Sequence, residues 1–209
     1  MCGRFSLGMT MSQVIEAFPF MVKTPATSTD WQPRYNVTPG TDVLVVVEQP
    51  ILTRWGGLVR WGWPVPWRSG HTMINARVET MGEKAVFRDS RRAIVVADSY
   101  YEWQSDTKQP YRICDKTGAL MKMAALILRS STPPDFRVVI LTEPATGALA
   151  AIHHRTPCLL DKSTIEDWYR GVEWSTHMAP SIATHVIPIS TLVNNARVDS
   201  PELHIPRSC

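Results

Sequence analysis

Cys2 is the residue of this 209-residue chain with the most distinctive chemistry available to it. Methionine aminopeptidases remove an initiator methionine when the next residue is small, and cysteine qualifies. The product carries an α-amine and a thiol on adjacent carbons. Such a 1,2-aminothiol reacts with aldehydes: the amine forms a Schiff base and the thiol closes a five-membered thiazolidine. An α-amine has a pKa of about 7.7–8.0, so roughly a tenth is neutral at pH 7, whereas a lysine near 10.4 needs heavy desolvation to match it. The thiol also lies close to titrating. On position alone, a partly buried structural cysteine is the better reading. Gly3 permits close approach of a substrate to the backbone. Arg4 suits a phosphate or carboxylate as well as it suits a surface ion pair.

Four further segments carry candidate groups. Glu102, within Ser99-Tyr100-Tyr101-Glu102-Trp103, is a carboxylate among aromatics, a setting that raises a pKa and favours proton transfer. His153, within Ile152-His153-His154-Arg155-Thr156-Pro157, is a natural proton carrier near neutral pH, though any one histidine is more often structural. Asn75, Arg77 and Glu79 alternate and share one face if extended, either a polar cleft or the wet side of a sheet. Trp67, on a Pro-rich loop, suits stacking on a base, while core packing is the better reading for Trp61 and Trp63. No metal is expected, because adjacent histidines seldom share an ion and the chain has no HxxxH or CxxC pair. No cofactor is implied either.

The elements that must hold these groups are mainly strands. Val43–Glu48, Ile51–Arg54, Arg92–Glu102, Tyr111–Cys114, Leu120–Leu128, Arg137–Thr142 and Val186–Ile189 are rich in β-branched and aromatic residues. Residues 55–72, rich in Trp, Gly and Pro, read as irregular. Met11, Val14, Ile15 and Phe18 recur at helical spacing behind a Thr10/Gln13 capping box. A short helix over 145–152 would deliver His153. Ser163 and Glu166 form a second capping box before Ile165, Trp168 and Tyr169. Strands that do not alternate with helices predict an α+β fold on a mainly antiparallel, barrel-like sheet. One domain over residues 1–209 is expected, since neither a repeat nor a linker interrupts the chain.

Bulk composition excludes little. A hydrophobic fraction of 44%, a charged fraction of 20% and a net charge of +3 are ordinary for a globular protein, and permit an anionic partner without requiring one. The start is not a signal peptide and no apolar run approaches membrane-spanning length, so a cytoplasmic location without membrane partners is expected. Cys2, Cys114, Cys158 and Cys209 form no paired framework. The last three carry no assigned role.

Taken together, the motifs resemble the SRAP family (SOS response-associated peptidase). Met1-Cys2-Gly3-Arg4-Phe5, Arg34-Tyr35-Asn36-Val37-Thr38-Pro39-Gly40, Asn75-Ala76-Arg77-Val78-Glu79-Thr80 and Tyr101-Glu102-Trp103 occur in family order. Ile152-His153 with Arg155 and Pro157 resembles its histidine motif, and Val193-Asn194-Asn195 with Ser200-Pro201-Glu202-Leu203 its C-terminal signature. The resemblance implies a single-domain, barrel-like α+β fold with a positively charged groove, and self-linkage of a monomer to abasic sites in single-stranded DNA. By motif position Cys2 is the nucleophile, Asn75 positions the linkage, Glu102 assists proton transfer, and His153 is an acid/base in ring opening and in reversal. Arg4, Arg77 and Arg155 would contact the DNA backbone, and Trp67 would interrupt stacking beside the lesion. His154 stands where members often carry Asp, a basic contact near Lys84-Ala85-Val86 is displaced, and Thr38 replaces the usual Ala.

Two rival readings differ in class. An amidotransferase with an N-terminal cysteine also begins Met-Cys-Gly, but usually continues with an aliphatic residue and carries Asn-Gly-Glu and His-Thr-Arg motifs that this chain lacks. A non-covalent single-strand-binding module would use Trp and Arg alone. The peptidase of the family name is satisfied by self-removal of the residue ahead of Cys2.

Overall fold

A computed structural model describes residues 2–17, 21–23, 32–49, 53–65, 68–131, 134–175 and 182–207. In chain order its first elements are β1 (Phe5–Leu7), α1 (Met11–Ala17), β2 (Met21–Lys23), β3 (Arg34–Val37), β4 (Asp42–Gln49), β5 (Thr53–Trp61), β6 (Trp63–Pro64), β7 (Thr72–Met73) and β8 (Asn75–Arg77). Then come β9 (Arg91–Ala97), β10 (Ser99–Trp103), β11 (Pro110–Asp115), β12 (Met121–Ser131), β13 (Pro134–Pro144), α2 (Gly147–Ala150), β14 (Arg155–Pro157), β15 (Leu159–Leu160), α3 (Ile165–Tyr169) and β16 (Thr184–Pro188). Short 3-10 turns cover Val78–Thr80, Ala85–Phe87, Thr191–Asn194 and Pro201–His204.

Strands β13, β12, β9, β4 and β5 follow one another antiparallel, and β5 returns to β13 through a short parallel pairing of Arg60 with Arg137 and Trp61 with Val138. That pairing closes a barrel and removes free edges there. The two faces follow the period-2 rule. Val43, Val45, Val47, Ala93, Val95, Met123 and Ala125 turn to one core with Trp61, Val138 and Ile140. Leu44, Val46, Ile94, Val96, Ala124, Leu126, Val139 and Leu141 turn to the other, where α1 and α3 cover them with Met11, Val14, Ile165 and Trp168. Helices cannot fit inside so narrow a barrel, so the first core is the interior. The indole N–H groups of Trp61 and Trp168 donate to the carbonyls of Ile74 and Ala93, which satisfies both rings in the core.

A second sheet runs β16-β11-β10-β1-β3. It brings the chain start beside β10, with Phe5 opposite Tyr100, and seats Phe5 and Tyr100 against the barrel interior.

The α+β expectation with a barrel-like, mainly antiparallel sheet matches this architecture. Local differences have physical causes. Residues 55–72 are not irregular throughout: β5 runs to Trp61, and β6 pairs with β7. The Arg92–Glu102 run is two strands in different sheets, split at Asp98, whose carboxylate accepts from the Gly8 N–H. The Thr10/Gln13 box is present, with the Gln13 side chain accepting from the Thr10 N–H at 2.9 Å. At α3 the N-cap position is Thr164, not Ser163, and in the turn ahead of it the Asp161 carboxylate accepts from the N–H groups of Ser163 (2.8 Å) and Thr164 (3.0 Å). Phe18, Ile51 and Trp67 lie outside the described residues. Among the described residues no helix is long and apolar enough to cross a membrane.

Candidate active site

Cys2 precedes β1 and is fully buried. Its carbonyl accepts a hydrogen bond from the Asn75 side-chain nitrogen at 2.8 Å, and its Sγ lies 4.0 Å from the Arg4 carbonyl. Asn75 opens β8, which runs parallel to β13 with Asn75 opposite Ile140, so the barrel wall itself aims the amide at Cys2. The Asn75 Oδ1 is buried with no hydrogen-bond partner among the described residues. A buried acceptor left open is costly unless something fills it. Burial pushes the Cys2 thiol up, and the Glu102 charge adds to the effect. The thiol therefore stays protonated at neutral pH.

Glu102 sits on β10, the neighbour of β1, and is 5% exposed. Burial raises its carboxyl to about 7, which makes it a group able to give or take a proton near neutrality. Tyr100, two residues earlier and on the same face, is also buried, and its hydroxyl is 2.9 Å from Thr156 Oγ1. Burial lifts the Tyr100 phenol, and the charges of Cys2 and Glu102 contribute. The Tyr100–Thr156 pair thus belongs to the same buried neighbourhood. Sequence reasoning missed it, although the i, i+2 relation of Tyr100 to Glu102 on a strand was a usable cue.

His153 follows α2, and its N–H bonds to the Leu149 carbonyl at 3.0 Å. The Arg155 backbone N–H donates to His153 Nδ1 at 3.0 Å. The Arg155 carbonyl lies 3.2 Å from the same Nδ1, so the ring's tautomer decides which of the two Arg155 backbone groups it engages. Burial lowers the His153 pKa, keeping the ring neutral at pH 7. The preceding carbonyl, of Ile152, accepts from the Ser105 N–H at 3.2 Å, which ties the histidine segment to the turn after β10. The His154 ring packs 4.3 Å from it, centroid to centroid.

The arginines separate. Arg77 is exposed. Arg4 is half-buried: its Nη1 donates to Asn36 Oδ1 at 2.7 Å and to the Val193 carbonyl at 2.8 Å, and its guanidinium lies 5.9 Å from the Trp103 ring. Arg155, expected at the DNA backbone, has its partners within the protein. It is buried, both terminal nitrogens close on the Glu79 carboxylate, and Nη2 also reaches the Thr142 carbonyl. Glu79 was read as a cleft-lining group, and its partner was the missing part of that reading. Cys2, Asn75 and Glu102 are thus brought together with His153 alongside, while Arg155 turns to Glu79.

The family model described as SOS response associated peptidase (SRAP) matches residues 1–196. The chain belongs to the SRAP family. Its SRAP relatives include the abasic site processing protein YoqW of Bacillus subtilis, 33% identical over 97% of this chain and 98% of the relative. YedK of Escherichia coli, named likewise, is 32% identical over 99% and 100%. HMCES of Xenopus tropicalis, also named so, is 26% identical over 97% of this chain and 77% of its own. Among solved structures, a protein of Bacteroides thetaiotaomicron superposes with a TM-score of 0.79 at 18% identity over 99% and 100%, which shows the shared fold. A phage-related protein of Bordetella bronchiseptica gives 0.70 at 26% identity over 90% and 94%.

The SRAP signatures away from Cys2 have a structural explanation here. Asn36 Nδ2 donates to the carbonyls of Asn195 (3.1 Å) and Val198 (2.6 Å), while Trp103 Nε1 donates to Asn194 Oδ1 at 2.7 Å. These bonds fasten the C-terminal segment to β3 and β10, the two neighbours of β1, the strand that follows Cys2.

Proposed function

We propose that this protein, once Met1 is removed, bonds covalently through Cys2 to the open-chain aldehyde of an abasic site in single-stranded DNA and so shields the lesion. The observation that carries this reading is the joint placement of Cys2, Asn75 and Glu102, with the Glu102 carboxyl raised to about 7. The names of its relatives as abasic site processing proteins support it.

An abasic sugar exists mainly as a closed hemiacetal. Opening it moves a proton off the anomeric hydroxyl and one onto the ring oxygen, and Glu102 and His153 are the groups that exchange them. The Cys2 amine nitrogen then attacks the aldehyde carbon, and the carbonyl oxygen departs as one water, leaving a Schiff base. The thiol sulfur adds to the imine carbon and the thiol proton ends on nitrogen. Aminothiol plus aldehyde therefore equals thiazolidine plus water. The raised thiol pKa suits this order, with amine first and protonated thiol second. Asn75 anchors Cys2 through its carbonyl and presents Oδ1 to a donor on the incoming sugar or amine. Arg77 meets phosphate and Trp67 wedges beside the lesion. Peptidase activity in this scheme is limited to loss of the residue before Cys2, and strand cleavage is a side path from the Schiff base.

The test is incubation with single-stranded DNA holding one abasic site, followed by denaturing electrophoresis. A heat- and detergent-stable adduct is expected, absent in Cys2→Ala and absent when an N-terminal tag blocks the amine. Adduct in both would sink the thiazolidine. Glutamine hydrolysis by the same protein would favour the amidotransferase, and DNA binding without any adduct would favour a non-covalent module.

A further inference from the structure

The seam that closes the barrel is short. β5 and β13 pair through only two residues each, Arg60–Trp61 with Arg137–Val138. Beside that pairing lies a cavity of about 610 Å³ that reaches inward to Val45, Val47, Trp55 and Ile127. Its rim is set by Leu58 and Arg60 on β5 and by Asp135, Phe136 and Arg137 on β13. Leu58 and Phe136 are 37% and 51% exposed, large apolar groups at an opening. The site is remote in topology from the reactive one: Arg91 at the start of β9 lines it, whereas Glu102 lies beyond the end of that strand.

The charges at the rim are unusual for a structural slot. Arg60 and Arg137 are direct register partners, and like charges opposite one another across strands repel. Each uses its Nε on one aspartate, Arg60 on Asp42 at 3.2 Å and Arg137 on Asp135 at 2.6 Å. The terminal nitrogens of both guanidinium groups make no hydrogen bond among the described residues, so two donor forks remain. Arg91 also lines the cavity, so three arginines face two aspartates and one positive charge is in excess. An apolar interior with a few convergent polar groups at its mouth is the usual form of a small-molecule site, and the volume lies within the common range of about 300–1,000 Å³.

We infer that this slot binds an amphiphilic organic anion, its apolar body inserted between β5 and β13 against Trp55 and Ile127, its anionic group held by Arg60 and Arg137. An anion there also relieves the repulsion between the two arginines. This site is separate from the Cys2 chemistry and does not rest on it.

The test uses the whole protein and 8-anilinonaphthalene-1-sulfonate as probe, titrated by calorimetry and fluorescence. One saturable site is expected. Arg60→Gln and Arg137→Gln should each weaken it tenfold or more, and the uncharged analogue N-phenyl-1-naphthylamine should bind at least tenfold less tightly. Circular dichroism melting confirms that both variants are folded; should either unfold, Phe136→Ser, at an exposed rim position, provides the same comparison. Absence of a saturable site, or equal affinity in the variants, overturns the proposal. The variants should crosslink abasic DNA as the parent does. Loss of crosslinking together with probe binding would place these arginines in the DNA cleft and also overturn it.

Discussion

Asn75 donates its side-chain amide to the carbonyl of Cys2 at 2.8 Å, joining positions 73 residues apart. Cys2 has no regular strand partner of its own, because β1 begins at Phe5. This bond ties the nucleophile's carbonyl to the barrel wall. An ordinary hydrogen bond contributes about 1 kcal/mol. Asn75→Ala should lower unfolding free energy by about that much. It should slow adduct formation more, by roughly tenfold or beyond, since a small misplacement of a reacting group is amplified in rate. Stability from denaturant titration and adduct rate from quenched gels separate the two effects. A rate that falls no further than stability does would reduce Asn75 to a structural tether.

Glu102 supplies a pH signature. Its carboxyl is raised to about 7 in the folded protein, against 4.5 as the ordinary value. Between those two values the folded state holds a proton that the unfolded state has released. Stability from this group therefore falls as pH rises from about 4.5, and the loss is complete above about 7. Glu102→Gln should remove that slope. The adduct rate should also show an ionisation near pH 7 in the parent that is missing in Glu102→Gln. An unchanged pH profile in the variant would take Glu102 out of the proton path.

His153 offers a test on the reverse reaction. Burial holds its pKa below the ordinary 6.5, and the Arg155 backbone N–H and carbonyl both lie within reach of its Nδ1. A neutral imidazole has one N–H donor and one acceptor nitrogen, so it can give a proton and recover it. His153→Ala should slow both formation and reversal of the adduct, followed by transfer of protein from labelled to unlabelled DNA. Equal rates in both directions would remove His153 from the scheme.

How much of this was legible in the sequence depends on how local the cause is. The α1 helix was readable because its cap, Thr10 with Gln13, lies within one turn. Strand β5 was not, because Trp55-Gly56-Gly57 lacks alternation. The reason appears only in three dimensions: a side chain on Gly57 would strike the Trp55 ring. The parallel closure of β5 on β13 pairs residues almost eighty positions apart with no local mark. Among the site residues, Cys2, Asn75 and Glu102 were found by type and motif and lie together. The pairing of Arg155 with Glu79 was not legible. An ion pair between distant residues is invisible until both are placed, and the motif says only that an arginine is present.

That pair gives the last prediction. Arg155 is 7% exposed in its side chain and Glu79 is 43% exposed. Breaking a buried pair from the cation side leaves a carboxylate partly stranded, and costs about 3 kcal/mol, the lower end of the usual span because Glu79 can reach water. Arg155→Ala should show this in denaturant titration. The Arg155 hydrogen bond holds the Glu79 carboxyl below its ordinary 4.5. Its contribution is present above that value and is lost as pH falls through the lower folded pKa, so Glu79→Gln should flatten the acid limb of the stability curve. Arg155 and Arg77 should then differ toward DNA. Each phosphate contact on a single strand contributes about 0.7 to the slope of log affinity against log salt. Arg77→Ala should reduce that slope by about 0.7, while Arg155→Lys, which keeps a charge but cannot close on Glu79 with two nitrogens, should leave it unchanged and still lose stability. A reduced slope for Arg155→Lys with stability intact would return Arg155 to the DNA backbone.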